Sequence, residues 1–155
     1  MDLFGHLKAY DYGEVHFKYD KASGLKAIVA IHDSRLGPAL GGCRFLPYDS
    51  DEDAVVDALR LARGMTYKAA LAGLPHGGGK SVLIRPTEHF DRVAMFRAFG
   101  KFVNDLGGHY ITAEDSGTGL EDMEVIRTVT KHVTGVGPAH GGSGDPSPFT
   151  ALGVR

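Results

Sequence analysis

Apolar and polar positions change their period several times along this 155-residue chain, and each change marks an element. Residues 14–20 (EVHFKYD) alternate Val15, Phe17 and Tyr19 with polar neighbours, the pattern of a strand with one wet face. Residues 25–33 (LKAIVAIHD) form a longer apolar run, and the four residues between the two have hairpin length, so an antiparallel pair is predicted. After a turn at 36–38, residues 41–46 (GGCRFL) read as a short strand that Pro47 stops. Ser50 or Asp51 then caps a helix with acidic residues in its first turn. Val55, Val56, Leu59, Leu61 and Ala62 form its apolar side, and it runs to about Ala72.

The chain next turns through residues 73–79 (GLPHGGG) and enters 81–84 (SVLI), an apolar run that reads as a buried strand. Residues 90–106 repeat apolar side chains at helical spacing from Phe90 to Leu106 and stop at Gly107-Gly108, as a helix C-terminus does. A strand over 109–113 (HYITA) and a helix over 120–130 follow. This alternation predicts an α/β fold, a three-layer α/β/α domain with helices on both faces of a mixed, partly parallel sheet. The order in which the strands pair is not readable.

Composition agrees with one folded domain. At this length folding buries roughly 70% of the surface the unfolded chain exposes. The residues are 43% hydrophobic and 23% charged, which argues against disordered and fibrous classes. Net charge is −2 with the signs interspersed, so there is no basic stripe for nucleic acid. No apolar run approaches the roughly 18 residues of a membrane span, which argues against a membrane. The N-terminus lacks the basic-then-apolar build of a signal peptide, and the single Cys43 has no disulfide partner in the chain; a cytoplasmic location is expected.

Four groups of residues are candidates for chemistry. Residues 74–81 (LPHGGGKS) end like a nucleotide-binding P-loop, but position 74 is leucine where that pattern needs glycine. The order is also reversed, with a helix before and a strand after. Two readings remain for these glycines: a plain tight turn, or a close backbone approach that partly desolvates Lys80 and lowers its pKa. Lys68, near the end of the long helix, either answers the helix dipole from solvent or holds a substrate carboxylate as a point charge. Gly41 and Gly42 either offer bare N–H groups to an anion or form a bulge. Glu114 and Asp115 follow an apolar strand, where carboxylates line the clefts of α/β sheets or cap the next helix. The eight histidines include no i, i+4 pair, so no metal site is supported.

In order and in register, GPALGGCRFLPY (37–48), ALRLARGMTYKAALAGLPHGGGKSVLI (58–84), ITAEDSGTGLEDME (111–124) and GGSGDPSPFTALGV (141–154) resemble the leucine/phenylalanine/valine dehydrogenases of the Glu/Leu/Phe/Val dehydrogenase family. The resemblance implies NAD-dependent oxidative deamination of an L-amino acid to a 2-oxo acid and ammonia. It also implies an N-terminal domain that binds the amino acid and makes the contacts of a homo-oligomer, with NAD held mainly by a separate Rossmann domain. Carried over by position, Lys68 holds the substrate carboxylate beside Gly41 and Gly42, Lys80 polarises the substrate and activates water, and Asp115 shuttles protons. Leu40, Met65, Ala113 and Thr134 fall at substrate-binding positions, and Leu40 with Ala113 suggests an apolar side chain rather than glutamate. Asp145, Pro146, Ser147 and Thr150 fall on the cofactor side. His76 and Ser116 depart from the residues common in the family.

Residues 1–155 are therefore expected to be the substrate-binding and oligomerisation domain. The chain is expected to stop at Arg155 within a helix beginning near Pro148, to lack the G-x-G-x-x-G turn and its cofactor domain, and to be inactive alone. The alternative is a non-catalytic self-associating domain of the same fold, against which the joint presence of Lys68, Lys80 and Asp115 argues.

Overall fold

The predicted hairpin is present: β1 (Glu14–Asp20) and β2 (Leu25–Asp33) pair antiparallel from Glu14 opposite Ile31 to Asp20 opposite Leu25. The computed structural model describes residues 1–154, so Arg155 lies outside the described residues. The other strands are β3 (Ala39–Leu46), β4 (Gly77–Ile84) and β5 (Tyr110–Glu114), and the sheet order is β1-β2-β4-β3-β5. β4 runs antiparallel to β2 and parallel to β3, which is parallel to β5. The mixed, partly parallel sheet is as expected.

Its two faces carry different side chains because the strand period is two. Along β2, Leu25, Ala27, Val29 and Ile31 enter one core and Ile28 and Ala30 the other. The second core is closed by α2 (Asp51–Leu71) through Ala54, Ala58, Leu59 and Ala62. The first is closed by α3 (Arg92–Asp105) and α4 (Leu120–Arg127), where Phe45 packs edge-on against Phe90 and Phe96. Three layers result. Ser50, not Asp51, caps α2, accepting from the Asp53 N–H at 3.1 Å.

Three expectations are corrected. Gly77, Gly78 and Gly79 are not in the turn but are the first residues of β4. A Cβ on Gly78 would run into the backbone N–H of Thr66 and the carbonyl of Ala62, so Gly78 lets α2 lie directly on the sheet, while a Cβ on Gly77 would strike the Asp33 carbonyl and one on Gly79 the Tyr110 ring. β3 starts at Ala39 rather than Gly41, and α4 ends at Arg127 rather than 130. An unforeseen helix, α1 (Leu3–Tyr10), is capped by the Asp2 carboxylate and rests Leu3 and Leu7 on the α2 side. A short helix, α5 (Ser147–Gly153), follows a 3₁₀ turn at Pro138–His140 and begins near Pro148 as predicted. Among the described residues no helix is long and apolar enough to cross a membrane.

Candidate active site

β4 is central in the sheet, and Lys80 sits on it opposite Ala30 of β2, on the face that α2 covers. Its side chain is 5% exposed, and Nζ lies 2.8 Å from Oδ1 of Asp115. Asp115 directly follows β5 and is fixed by the turn behind it. Its N–H donates to Thr118 Oγ1 at 2.9 Å, and that hydroxyl donates to the carbonyl of Cys43 at 2.8 Å. Asp115 is therefore not a helix cap: Gly119 is the N-cap of α4.

Gly42 lies between the pair. A Cβ there would stand 2.7 Å from the carbonyl oxygen of Glu114, 2.8 Å from Cβ of Asp115 and 3.3 Å from Nζ of Lys80. Gly41 is equally confined, since a Cβ would strike the carbonyl of Gly79, while its own carbonyl accepts from the Tyr110 hydroxyl at 2.6 Å. Close approach, more than a bulge, is what these two glycines permit.

A second cation reaches the same carboxylate. Nε of Arg44 donates to Oδ2 of Asp115 at 2.8 Å, and its Nη1 donates to Oδ2 of Asp57 at 3.0 Å. Burial by itself raises the Asp115 carboxyl, but hydrogen bonds and charge from Lys80 and Arg44 hold it below the usual carboxylate range. Burial lowers the Lys80 amine; Asp115 offsets part of that and Arg44 adds to it. The arrangement sets an amine whose pKa burial lowers against an acid held ionised, within proton-transfer distance of each other.

These groups form the floor of a cleft of about 770 Å³, a size that suits a small molecule. Lys68, exposed in the last turn of α2, stands on its wall and forms no ion pair with any described residue. Leu40, Met65 and Ala113 contribute apolar surface. Thr134 joins them because its N–H donates to the Thr112 carbonyl at 2.9 Å, tying its segment alongside β5. Pro146, Ser147 and Thr150 also line the cleft. Of the catalytic, substrate and cofactor candidates, only Asp145 is off the cleft wall; its carboxylate accepts from the Ser147 N–H at 2.8 Å.

Sequence reasoning missed Arg44, Asp57 and the role of Glu114. Arg44 stood inside a block already singled out, but nothing local ties it to a carboxylate 71 residues away. Glu114 lines the cleft with Oε1 buried and unpartnered among the described residues, and burial, with Asp145 nearby, pushes its carboxyl up. The P-loop alternative fails on geometry, because its glycines and lysine lie in a strand that follows a helix.

Residues 11–132 match the family model described as Glu/Leu/Phe/Val dehydrogenase, dimerisation domain. A leucine dehydrogenase of Geobacillus stearothermophilus is 58% identical over 154 residues, 99% of this chain and 42% of that protein. A valine dehydrogenase of Streptomyces virginiae is 54% identical over 135 residues, 87% of this chain and 38% of that protein. The crystal structure of L-tryptophan dehydrogenase from Nostoc punctiforme superposes with a TM-score of 0.82 at 43% identity, covering 98% of this chain and 41% of that one. The chain thus spans about two fifths of the length of these relatives. With its sheet, cleft and buried lysine–aspartate pair in place, the chain belongs to the Glu/Leu/Phe/Val dehydrogenase family.

Proposed function

We propose that this chain supplies the amino-acid-binding half of an active site for reversible, NAD-dependent oxidative deamination of an apolar L-amino acid, of leucine, valine or phenylalanine type. The products are the 2-oxo acid and ammonia. The observation that carries this reading is the Lys80–Asp115 pair on the floor of a cleft whose wall bears the exposed Lys68.

Each residue then has one task. Lys68 attracts the substrate carboxylate, with the bare backbone of Gly41 and Gly42 close by. Leu40, Met65, Ala113 and Thr134 receive the side chain, and their apolar share disfavours a charged one. Lys80, in its neutral form, accepts a proton at Nζ from the water that adds to Cα. Asp115 carries protons to and from the amino nitrogen at its carboxylate oxygens.

NAD, when bound, supplies the acceptor for the hydride on Cα. The residues present fit such a group in one respect: Glu114 Oε1 is a buried acceptor with no described donor, in the cleft that Ser147 and Thr150 also line. Those three residues, with Asp145 and Pro146 beside them, would contact the cofactor, and a Rossmann domain beyond these 155 residues would bind most of it. Self-association belongs to the same proposal and is supported by the family description as a dimerisation domain.

The test joins this chain in frame to the C-terminal part of the Geobacillus stearothermophilus leucine dehydrogenase. NADH formation is followed with leucine, valine, phenylalanine and glutamate. Turnover of the apolar amino acids and not of glutamate is expected; a soluble, folded fusion that reduces no NAD with any of them contradicts the proposal.

A further inference from the structure

Asp115 is held at both of its oxygens by two different cations. Lys80 Nζ takes Oδ1 at 2.8 Å, and Arg44 Nε takes Oδ2 at 2.8 Å. An aspartate χ2 is a broad, soft torsion, so one partner alone leaves the carboxylate plane free to swing. Two partners on opposite oxygens fix it.

Arg44 is itself held. It leaves β3 on the face that α2 covers, since its neighbours Cys43 and Phe45 enter the core on the other side. There Nη1 meets Oδ2 of Asp57 at 3.0 Å, and the planar guanidinium spans both acids in one rigid fork. Asp57 is anchored in turn by the Tyr48 hydroxyl at 2.7 Å and by Arg60 Nη2 at 2.6 Å. The charges alternate from Lys80 through Asp115, Arg44 and Asp57 to Arg60, and the chain leads from the cleft floor to the surface, where Arg60 is 63% exposed.

We propose that Arg44, held by Asp57, is a positioning residue that fixes the orientation of the Asp115 carboxylate against Lys80. The proposal rests on the functional reading above, in which Asp115 and Lys80 move protons. Arg44 also adds its positive charge to the lowering of the Lys80 amine, so its loss acts on the pair through direction and charge together. Besides Arg44, Asp115 and Cys43 act on the Lys80 amine, and Glu114 and Lys68 line the same cleft. None of these replaces the fork.

Two variants of the fusion enzyme separate direction from charge. Arg44→Lys keeps the charge and loses the fork; kcat is expected to fall roughly 10- to 100-fold with KM for the amino acid nearly unchanged, the signature of a misplaced reacting group. Arg44→Gln removes the charge as well; the same loss of kcat is expected, with the limb of the pH profile that reports Lys80 displaced to higher pH. The second measurement is independent of turnover: NMR titration of the Lys80 amine in the 155-residue chain. Its pKa is expected to rise in Arg44→Gln and to stay close to the parent value in Arg44→Lys.

Full kcat in Arg44→Lys, or an unmoved Lys80 pKa in a folded Arg44→Gln, overturns the proposal. Should the unmodified fusion turn over no amino acid, the functional reading fails by itself, and the titration still decides whether Arg44 governs the pair.

Discussion

Nζ of Lys80 and Oδ1 of Asp115 stand 2.8 Å apart, brought together from the central strand and from the end of an edge strand. The acid is ionised below its usual range in the folded chain, whereas unfolding returns it to about 3.9. A folded pKa below the unfolded one contributes stability that is present above the unfolded value and lost as pH falls through the folded value. Asp115→Asn is therefore expected to unfold at lower urea than the parent near neutral pH, with the gap closing below about pH 4. Urea midpoints at several pH values check this, and a gap independent of pH would contradict it.

Gly42 is where the pair tolerates least change. The alanine Cβ would press on the Glu114 carbonyl, on Asp115 and on the Lys80 amine at 2.7, 2.8 and 3.3 Å. Gly42→Ala is expected to cost about 1–3 kcal/mol of stability by overpacking. It is also expected to lower kcat of the fusion by more than about tenfold by displacing the acid. Denaturant melts and steady-state rates on the same preparation check both.

Gly78, which seats α2 on the sheet, and Gly64, inside α2, give predictions of opposite sign. Gly78→Ala meets helix backbone at Thr66 and Ala62 and is expected to destabilise by about 3 kcal/mol. Gly64 lies inside the same helix with nothing near its missing Cβ, so Gly64→Ala is expected to stabilise by roughly 0.5–1 kcal/mol. Urea midpoints on the two single variants distinguish a strand glycine needed for contact from a helix glycine that is not needed.

Those glycines also mark what the sequence concealed. A missing side chain signals a turn and a close approach alike, so Gly77, Gly78 and Gly79 were readable only once β4 was seen against the Asp33 backbone, α2 and Tyr110. The hairpin, α2, α3 and β5 were legible because their periods are clear and Ser50 and Gly107 bracket helix ends. α1 was not, since it buries no residue fully and only rests the partly buried Leu3 and Leu7 on the neighbouring core. Lys68, Lys80 and Asp115 came from four blocks in register, and the structure places all three on one cleft. Arg44, and Asp57 behind it, stayed hidden because the bond from Arg44 to Asp115 depends on β3 lying beside β5, and strand order leaves no local mark.

Lys68 stands on the cleft wall without an ion pair to any described residue, which leaves its charge for a ligand. Losing one charge-assisted contact to a carboxylate costs about 1.5–3 kcal/mol, or roughly 10- to 100-fold in affinity. Lys68→Ala in the fusion is expected to raise KM for leucine by that factor, and steady-state kinetics against leucine concentration check it.

The central claim is that Lys80 acts on the reacting atoms while Lys68 only holds the substrate. Its most direct test is kcat of the Lys80→Ala fusion at saturating leucine, with the folded state verified by circular dichroism. Loss of a proton-transfer group predicts a fall of roughly 10³-fold or more; a folded variant whose kcat stays within about tenfold of the parent would contradict the account.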